Sequence, residues 1–172
     1  WHKLKKNLVL IGMMGVGKTT IGNLLSKKLK IPFEDLDSKI ETKESLTINE
    51  IFDLKGEKYF RKIEEEEGLK TLEIGGKIIA LGGGTFINKN VREKVKRLSL
   101  SIWLDLSPQE IFKRINKNKG RPLLLNANSI TGVENIYLNR KKIYALADYK
   151  LDCALKSKNE IVREIEKIYE TI

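Results

Sequence analysis

The chain contains a single cysteine, Cys153, so no disulfide bond can form within its 172 residues. This cysteine content is typical of a reducing compartment, and we expect a cytoplasmic location. The apolar neighbours of Cys153 indicate a buried structural thiol rather than a reactive one. No run of 18 apolar residues is present and no signal-peptide pattern opens the sequence, so we expect no membrane partner.

Internal repeats, low-complexity tracts and long linkers are also lacking. A length of 172 residues with 41% hydrophobic and 33% charged residues favours one globular domain with a genuine core. The net charge of +10 could indicate a nucleic-acid surface, but the lysines are scattered and no aromatic residues lie between them. Because attraction of an anionic small molecule needs the same sign of charge, we expect such a substrate and no nucleic acid.

The segment Gly12–Thr19 reads Gly-Met-Met-Gly-Val-Gly-Lys-Thr, which is the phosphate-binding loop G-x-x-x-x-G-K-[ST]. It follows the apolar run Leu8–Ile11 and precedes a helical pattern, which is the context that this motif requires. Lys18 is predicted to contact the β- and γ-phosphates, and the Thr19 hydroxyl is predicted to bind Mg²⁺. The predicted nucleotide-binding residues of this segment are Gly12, Gly15, Val16, Gly17, Lys18, Thr19 and Thr20.

Predicted strands alternate with predicted helices along the whole chain. The strands are Asn7–Ile11, Pro32–Leu36, Lys77–Leu81, Leu100–Leu104 and Lys150–Cys153. The first predicted helix follows the loop and ends at about Leu29. The other helices are predicted from Thr47 to Gly56, from about Lys58 to Leu72, from Ser107 onward, from about Val133 to Ala147, and along the closing segment. This alternation predicts an α/β fold with a parallel sheet covered on both faces. In such folds ligands bind at the carboxyl ends of the strands.

Two carboxylates, Asp35 and Asp37, come at the end of the second predicted strand. In extended backbone, residues i and i+2 point to the same side, so both could face one site. Asp35 could then serve the Mg²⁺ shell, and Asp37 could accept a hydrogen bond from an acceptor hydroxyl. The alternative is an acidic turn without a functional role.

The triplet Gly82-Gly83-Gly84 suits a place where backbone closely approaches a ligand, although a tight turn is the alternative. Arg61, Arg121 and Arg140 would each be read as surface charges in isolation. Together they suit a site that binds both a carboxylate and a transferring phosphoryl group.

The combination of motifs resembles the shikimate kinase family over nearly the whole chain. The matching motifs are Gly12–Thr19, Asp35-x-Asp37, Gly56-Glu57-Lys58-Tyr59-Phe60-Arg61-x-x-Glu64, Gly82-Gly83-Gly84, Arg114 before Gly120-Arg121-Pro122, and Arg140-x-x-x-Tyr144 with Ala147-Asp148. The resemblance implies transfer of the ATP γ-phosphoryl group to the shikimate 3-hydroxyl, with Mg²⁺, on the route to chorismate and aromatic amino acids.

The same resemblance implies a nucleoside-monophosphate-kinase-like P-loop fold of three layers. Its five-stranded parallel sheet would have the order 2-3-1-4-5, in a single domain over residues 1–172 and a monomeric protein. A helical insert at about 36–72 would bind shikimate, and a loop at about 116–128 would close over ATP as a lid.

The resemblance also assigns roles to individual residues. Shikimate would be held by Asp37, Arg61, Gly82, Gly83, Gly84 and Arg140, with Glu64 orienting Arg61. Lys18, Asp37 and Arg121 would be catalytic, and Arg114 and Arg121 would contact ATP, with Arg114 against the adenine. Thr19 and Asp35 would serve magnesium.

Two other functions compete with this interpretation. A related kinase acting on a nucleoside monophosphate or gluconate would share the phosphate loop but would not need the set Asp37, Arg61 and Arg140. A basic ATP-binding module would need a continuous basic surface or a residue that positions water for hydrolysis, and the sequence shows neither.

Overall fold

The computed structural model describes residues 6–117 and 129–171. Its sheet has five parallel strands in the order β2-β3-β1-β4-β5, and helices cover both faces, as predicted. The strands are β1 (Asn7–Ile11), β2 (Phe33–Asp35), β3 (Ile78–Ala80), β4 (Ser99–Asp105) and β5 (Tyr149–Asp152). Among the described residues, no helix is long and apolar enough to cross a membrane.

Eight α-helices occur in the described part of the chain. They are α1 (Lys18–Leu29), α2 (Leu36–Glu44), α3 (Ile48–Lys55), α4 (Glu57–Glu73), α5 (Lys89–Leu98), α6 (Pro108–Lys117), α7 (Ile130–Tyr144) and α8 (Lys158–Glu170). Helix α3 begins with the predicted capping box, in which Glu50 N donates to Thr47 Oγ1 and Thr47 N donates to Glu50 Oε1. Helices α2, α3 and α4 follow β2 in succession, where the sequence predicted a helical insert.

The register of the sheet brings three strand ends together. Leu10 of β1 lies beside Ala80 of β3, and Ala80 lies beside Asp35 of β2. All five residues of β1 are buried, so this central strand is fixed by packing on both faces. The segments that leave these three strands, which include the phosphate loop and the glycine triplet, therefore meet at one edge of the sheet.

The predicted second strand is wrong at its end. Strand β2 ends at Asp35, and Leu36 is the first residue of α2 rather than a strand residue. The reason is that the Asp35 side chain accepts a hydrogen bond from Ser38 N at 3.1 Å, which caps a new helix. Asp37 therefore lies in the first turn of α2, and the i, i+2 strand argument for its orientation does not apply.

Helix α5 was missed by the sequence analysis. Asn88 caps this helix by accepting from Val91 N at 3.0 Å, and Val91 and Val95 are its buried residues. Val91, Val95 and Leu98 have the i, i+4, i+7 spacing of an amphipathic helix, so the sequence carries a signal for this helix. The predicted helix that ended at Ala147 instead ends at Tyr144.

Candidate active site

The phosphate loop connects β1 to α1 and has a backbone shape that favours glycine. Gly12 and Gly17 have φ angles of 147° and 104°, which side chains disfavour. A Cβ atom at Gly12 would also lie 2.6 Å from the Leu104 carbonyl oxygen of β4. Lys18 Nζ donates to the Gly12 carbonyl and, at 3.4 Å, to the Met13 carbonyl. The loop therefore curves around the ammonium group at the start of α1, where phosphates bind in such folds.

Two oxygen atoms meet where the sequence predicted a magnesium site. The Thr19 hydroxyl donates to Asp35 Oδ2 at 2.5 Å, although 16 residues separate them in the chain. Hydroxyl and carboxylate oxygens are ligands that Mg²⁺ accepts, since it binds few protein groups and completes its shell with phosphates and water. The pair therefore fits a magnesium ion that is shared with a triphosphate.

Asp37 lines the same cavity from the first turn of α2. Burial of the carboxyl group raises the pKa of Asp37 to about 6, and the positive charge of Lys18 opposes this rise. Three nearby carboxylates raise it further: Asp35, Glu64 and Glu41. The group is therefore ionised at pH 7 but holds its proton more strongly than an exposed aspartate.

Arg61 of α4 is held by two acidic residues on its own helix. Its Nη1 atom lies 2.9 Å from Glu64 Oε1, and its Nε atom lies 3.7 Å from Glu57 Oε1. Glu64 is only 3% exposed, and its second oxygen accepts from the Thr85 hydroxyl at 3.0 Å. Glu64 thus holds the Arg61 guanidinium beside the cavity, and its expected role in orienting Arg61 for shikimate stays a prediction.

Each glycine of the triplet contacts one of the three charged residues predicted to bind substrate. A Cβ atom at Gly82 would lie 2.6 Å from Asp37 Oδ1, and one at Gly84 would lie 2.5 Å from Arg61 Nη1. At Gly83 it would lie 2.9 Å from Arg140 Nη1. Because no side chain intervenes, the three charged groups approach one short stretch of backbone.

Arg140 of α7 reaches the site beside Gly83. In the described part of the chain its Nη1 atom is buried and has no hydrogen-bond partner. One turn later, the fully buried Tyr144 donates its hydroxyl to the Gly83 carbonyl and packs against the Trp103 ring. Arg140 also contacts the Tyr144 hydroxyl, but a buried guanidinium nitrogen without its own partner is costly, so the position suits an anionic ligand.

A cavity of about 290 Å³ joins these parts. Its lining combines the phosphate loop with Asp35, Asp37, Arg61 and the glycine triplet. The structure therefore places a phosphate cradle, a carboxylate pair and a guanidinium group around one space, with Arg140 adjacent at Gly83.

Arg114, another predicted site residue, contacts the backbone of the phosphate loop. Arg114 of α6 donates to the Val16 carbonyl at 3.1 Å and to the Gly15 carbonyl at 3.5 Å. Arg121 lies outside the described residues, as does most of the predicted lid. Helix α6 includes the first two positions of that predicted loop, 116 and 117.

Several residues without a predicted site role also lie at this site. Glu41 and Ile48 line the cavity, and Thr85 and Tyr144 bind its wall residues. Two of them could have been found from their place in the sequence, since Thr85 directly follows the glycine triplet and Tyr144 is one helical turn from Arg140.

The sequence of the chain is similar to those of several known proteins. The family model described as shikimate kinase matches residues 14–170. The shikimate kinase of Sulfurihydrogenibium sp. (strain YO3AOP1) is 36% identical over 160 residues, which cover 93% of this chain and 95% of the relative. The shikimate kinase of Rhizobium meliloti (strain 1021) is 37% identical over 161 residues, with 94% and 84% covered.

Solved structures give the same result for the fold. A shikimate kinase from Acinetobacter baumannii in complex with shikimate superposes with a TM-score of 0.90 at 28% identity, covering 97% of this chain and 94% of that one. The shikimate kinase from Aquifex aeolicus vf5 has a TM-score of 0.83 at 36% identity, with 95% and 96% covered. A gluconokinase from Sinorhizobium meliloti 1021 has a TM-score of 0.56 at 14% identity over 99% of this chain and 97% of that one, which shows a shared fold alone.

Proposed function

The chain belongs to the shikimate kinase family, and from that premise we propose that the cavity beside Lys18 is where the γ-phosphoryl group of ATP passes to the 3-hydroxyl of shikimate. The reaction is the ATP-dependent phosphorylation of shikimate, a step in aromatic biosynthesis. The assignment of the site depends on one observation: Asp37, Arg140 and Arg61 all approach the glycine triplet.

The acceptor half of the site suits a hydroxy acid. Arg61 and Arg140 present guanidinium groups that can hold a carboxylate through paired hydrogen bonds. Asp37 is the residue that accepts a hydrogen bond from the reacting hydroxyl. With a pKa of about 6 it is ionised at neutral pH, yet basic enough to take the hydroxyl proton as the phosphoryl group transfers. Phosphoryl transfer depends mainly on positioning, so holding the hydroxyl in line with the phosphate is the principal task.

The donor half of the site holds the triphosphate. Backbone amides of the loop from Gly12 to Thr19 would surround the phosphates, and Lys18 would contact the transferring phosphoryl group. Thr19 and Asp35 would hold Mg²⁺, which neutralises phosphate charge when it is bound. Arg114 would lie beside the adenine, and Arg121 would contribute charge to the phosphoryl group.

The proposal has a direct test in a coupled assay of ADP formation with purified protein. We expect ADP formation that depends on shikimate and on Mg²⁺, with little turnover when ATP is supplied alone. Gluconate and AMP serve as competing acceptors in the same assay. Turnover with either of them but not with shikimate would contradict the proposed function.

We also propose that the protein is a cytoplasmic monomer that takes a small-molecule substrate and no nucleic acid. The single buried Cys153, whose pKa is raised by burial to about 11, fits a thiol that stays reduced and unreactive. Light scattering coupled to size-exclusion chromatography tests the oligomeric state.

A further inference from the structure

Thr85 lies directly behind the wall of the substrate pocket. It begins the short 3-10 helix Thr85–Ile87 after the glycine triplet, and its backbone nitrogen donates to the Gly82 carbonyl at 3.1 Å. Its side chain is 0% exposed, and its hydroxyl donates to Glu64 Oε2 at 3.0 Å. The only hydrogen of that hydroxyl is therefore committed to the carboxylate that anchors Arg61.

The buried carboxylate of Glu64 needs a partner on each oxygen. Arg61 supplies one for Oε1, and Thr85 supplies the other for Oε2. A buried carboxylate without full hydrogen bonding is costly, so losing either partner would drive the group to turn toward another donor. The bond from Thr85 restrains this rotation and keeps Oε1 directed at the guanidinium.

Two further contacts of Arg61 occur among the described residues. Glu57 lies at 3.7 Å and its side chain is 56% exposed, so solvent screens that ion pair. The centroid of the Phe60 ring lies 5.4 Å from Arg61 Cζ, and the ring supports the guanidinium from one face without fixing the direction of its nitrogens. The 2.9 Å bond to Glu64 is therefore the contact that directs the guanidinium, and Thr85 in turn binds Glu64.

We propose that Thr85 is a positioning residue for shikimate, acting through Glu64 on Arg61. This inference rests on the proposed function of the site and extends it to a residue that does not touch the substrate. Thr85→Val removes the hydroxyl but keeps the shape of the side chain, whereas Thr85→Ser keeps the hydroxyl.

The experiment measures the shikimate KM and kcat, the ATP KM, and the shikimate Kd by calorimetry. Since a hydrogen bond to a charged group is lost, we expect Thr85→Val to raise the shikimate KM and Kd about tenfold, with the ATP KM unchanged. Thr85→Ser should restore values near those of the wild type. The matched control is Thr71→Val, because Thr71 is 1% exposed and accepts from Lys39 away from the cavity.

A second comparison tests the route of the effect. In a Glu64→Met background Thr85 has no carboxylate to bind, so adding Thr85→Val should leave the shikimate KM unchanged. Two results would overturn the proposal. One is a further rise of the shikimate KM when Thr85→Val is added to Glu64→Met. The other is a shikimate KM that is the same in the Thr85→Val and Thr71→Val variants. If thermal melting shows that Thr85→Val does not fold, Thr85→Ala removes the same hydroxyl and decides the same comparison. Wild-type protein that is inactive on shikimate would instead refute the proposed function.

Discussion

Substitution of Gly84 by alanine tests the substrate site without disturbing the fold. Gly84 has φ −97° and ψ −8°, a negative-φ conformation that alanine can adopt, so the backbone can remain in place. The added Cβ would lie 2.5 Å from Arg61 Nη1 and 3.1 Å from Arg61 Cζ. The guanidinium is the end of a flexible side chain, so it would move rather than the backbone.

The size of the effect follows from that displacement. Ordinary van der Waals contact begins near 3.4 Å, so a guanidinium nitrogen now 2.5 Å from the new carbon must retreat by about 0.9 Å. A misplacement of about 1 Å can cost a hundredfold, and a charge-assisted hydrogen bond contributes about 1.5–3 kcal/mol. We therefore expect Gly84→Ala to raise the shikimate KM by roughly tenfold to a hundredfold, with the ATP KM within about twofold of the wild type.

The assay is steady-state ADP formation, with thermal melting of each variant. Gly68→Ala is the matched control, because a Cβ at this position in α4 would meet its nearest atom, Val91 Cγ2, at 3.5 Å. This control should keep the wild-type shikimate KM and melt at the same temperature or higher, since alanine favours helix by about 1 kcal/mol over glycine. A Gly84→Ala variant with a wild-type shikimate KM would refute the reasoning, because Arg61 could then move without consequence for binding.

Two further predictions concern Arg140 and Asp37. Arg140→Lys should raise the shikimate KM strongly, because an ammonium group cannot make the two parallel hydrogen bonds of a guanidinium. An equal shikimate KM in the variant and the wild type would show that Arg140 does not bind shikimate. For Asp37, kcat/KM for shikimate should fall as the pH drops through about 6, where its carboxylate becomes protonated, and Asp37→Asn should have a low kcat at every pH. The pKa of Asp37 in the folded protein is raised above its ordinary value of 3.8. The stabilisation that comes from its protonated form is therefore complete below pH 3.8 and is lost as the pH rises through about 6. Asp37→Asn should therefore melt above the wild type at pH 8, and a variant that melts below it there would contradict the pKa shift.

Local patterns predicted most of the secondary structure. Strand β1 was predicted at Asn7–Ile11 because an apolar run ends at the glycines of the phosphate loop, and the structure has it there. Helix α3 was predicted from the capping pair Thr47 and Glu50, and both bonds are present. These signals depend on residues within one turn of each other, so the sequence displays them directly.

Two kinds of feature could not be predicted from local patterns: a residue with two roles, and a contact between residues distant in the chain. Helix α5 is a separate case, because its cap and apolar spacing are local. Asp35 ends a strand and caps a helix, and only the second role explains why Asp37 lies on α2. The strand order was inferred from the family resemblance, because strand periodicity does not encode which strands are neighbours. The bond between Thr85 and Glu64 joins residues 21 positions apart, and no local pattern marks such a pair.

The arrangement around the glycine triplet indicates how the distance between acceptor and phosphate is fixed. Asp37, Arg61 and Arg140 come from α2, α4 and α7, yet all three lie against the backbone that directly follows β3. Strand β3 is hydrogen-bonded to β1, which carries the phosphate loop, and Leu81 N donates to the Leu10 carbonyl at the junction. Because sheet hydrogen bonds hold both segments, the proposed function implies that the separation between shikimate and the γ-phosphate is set by the centre of the sheet. The three helices would then orient the charged groups.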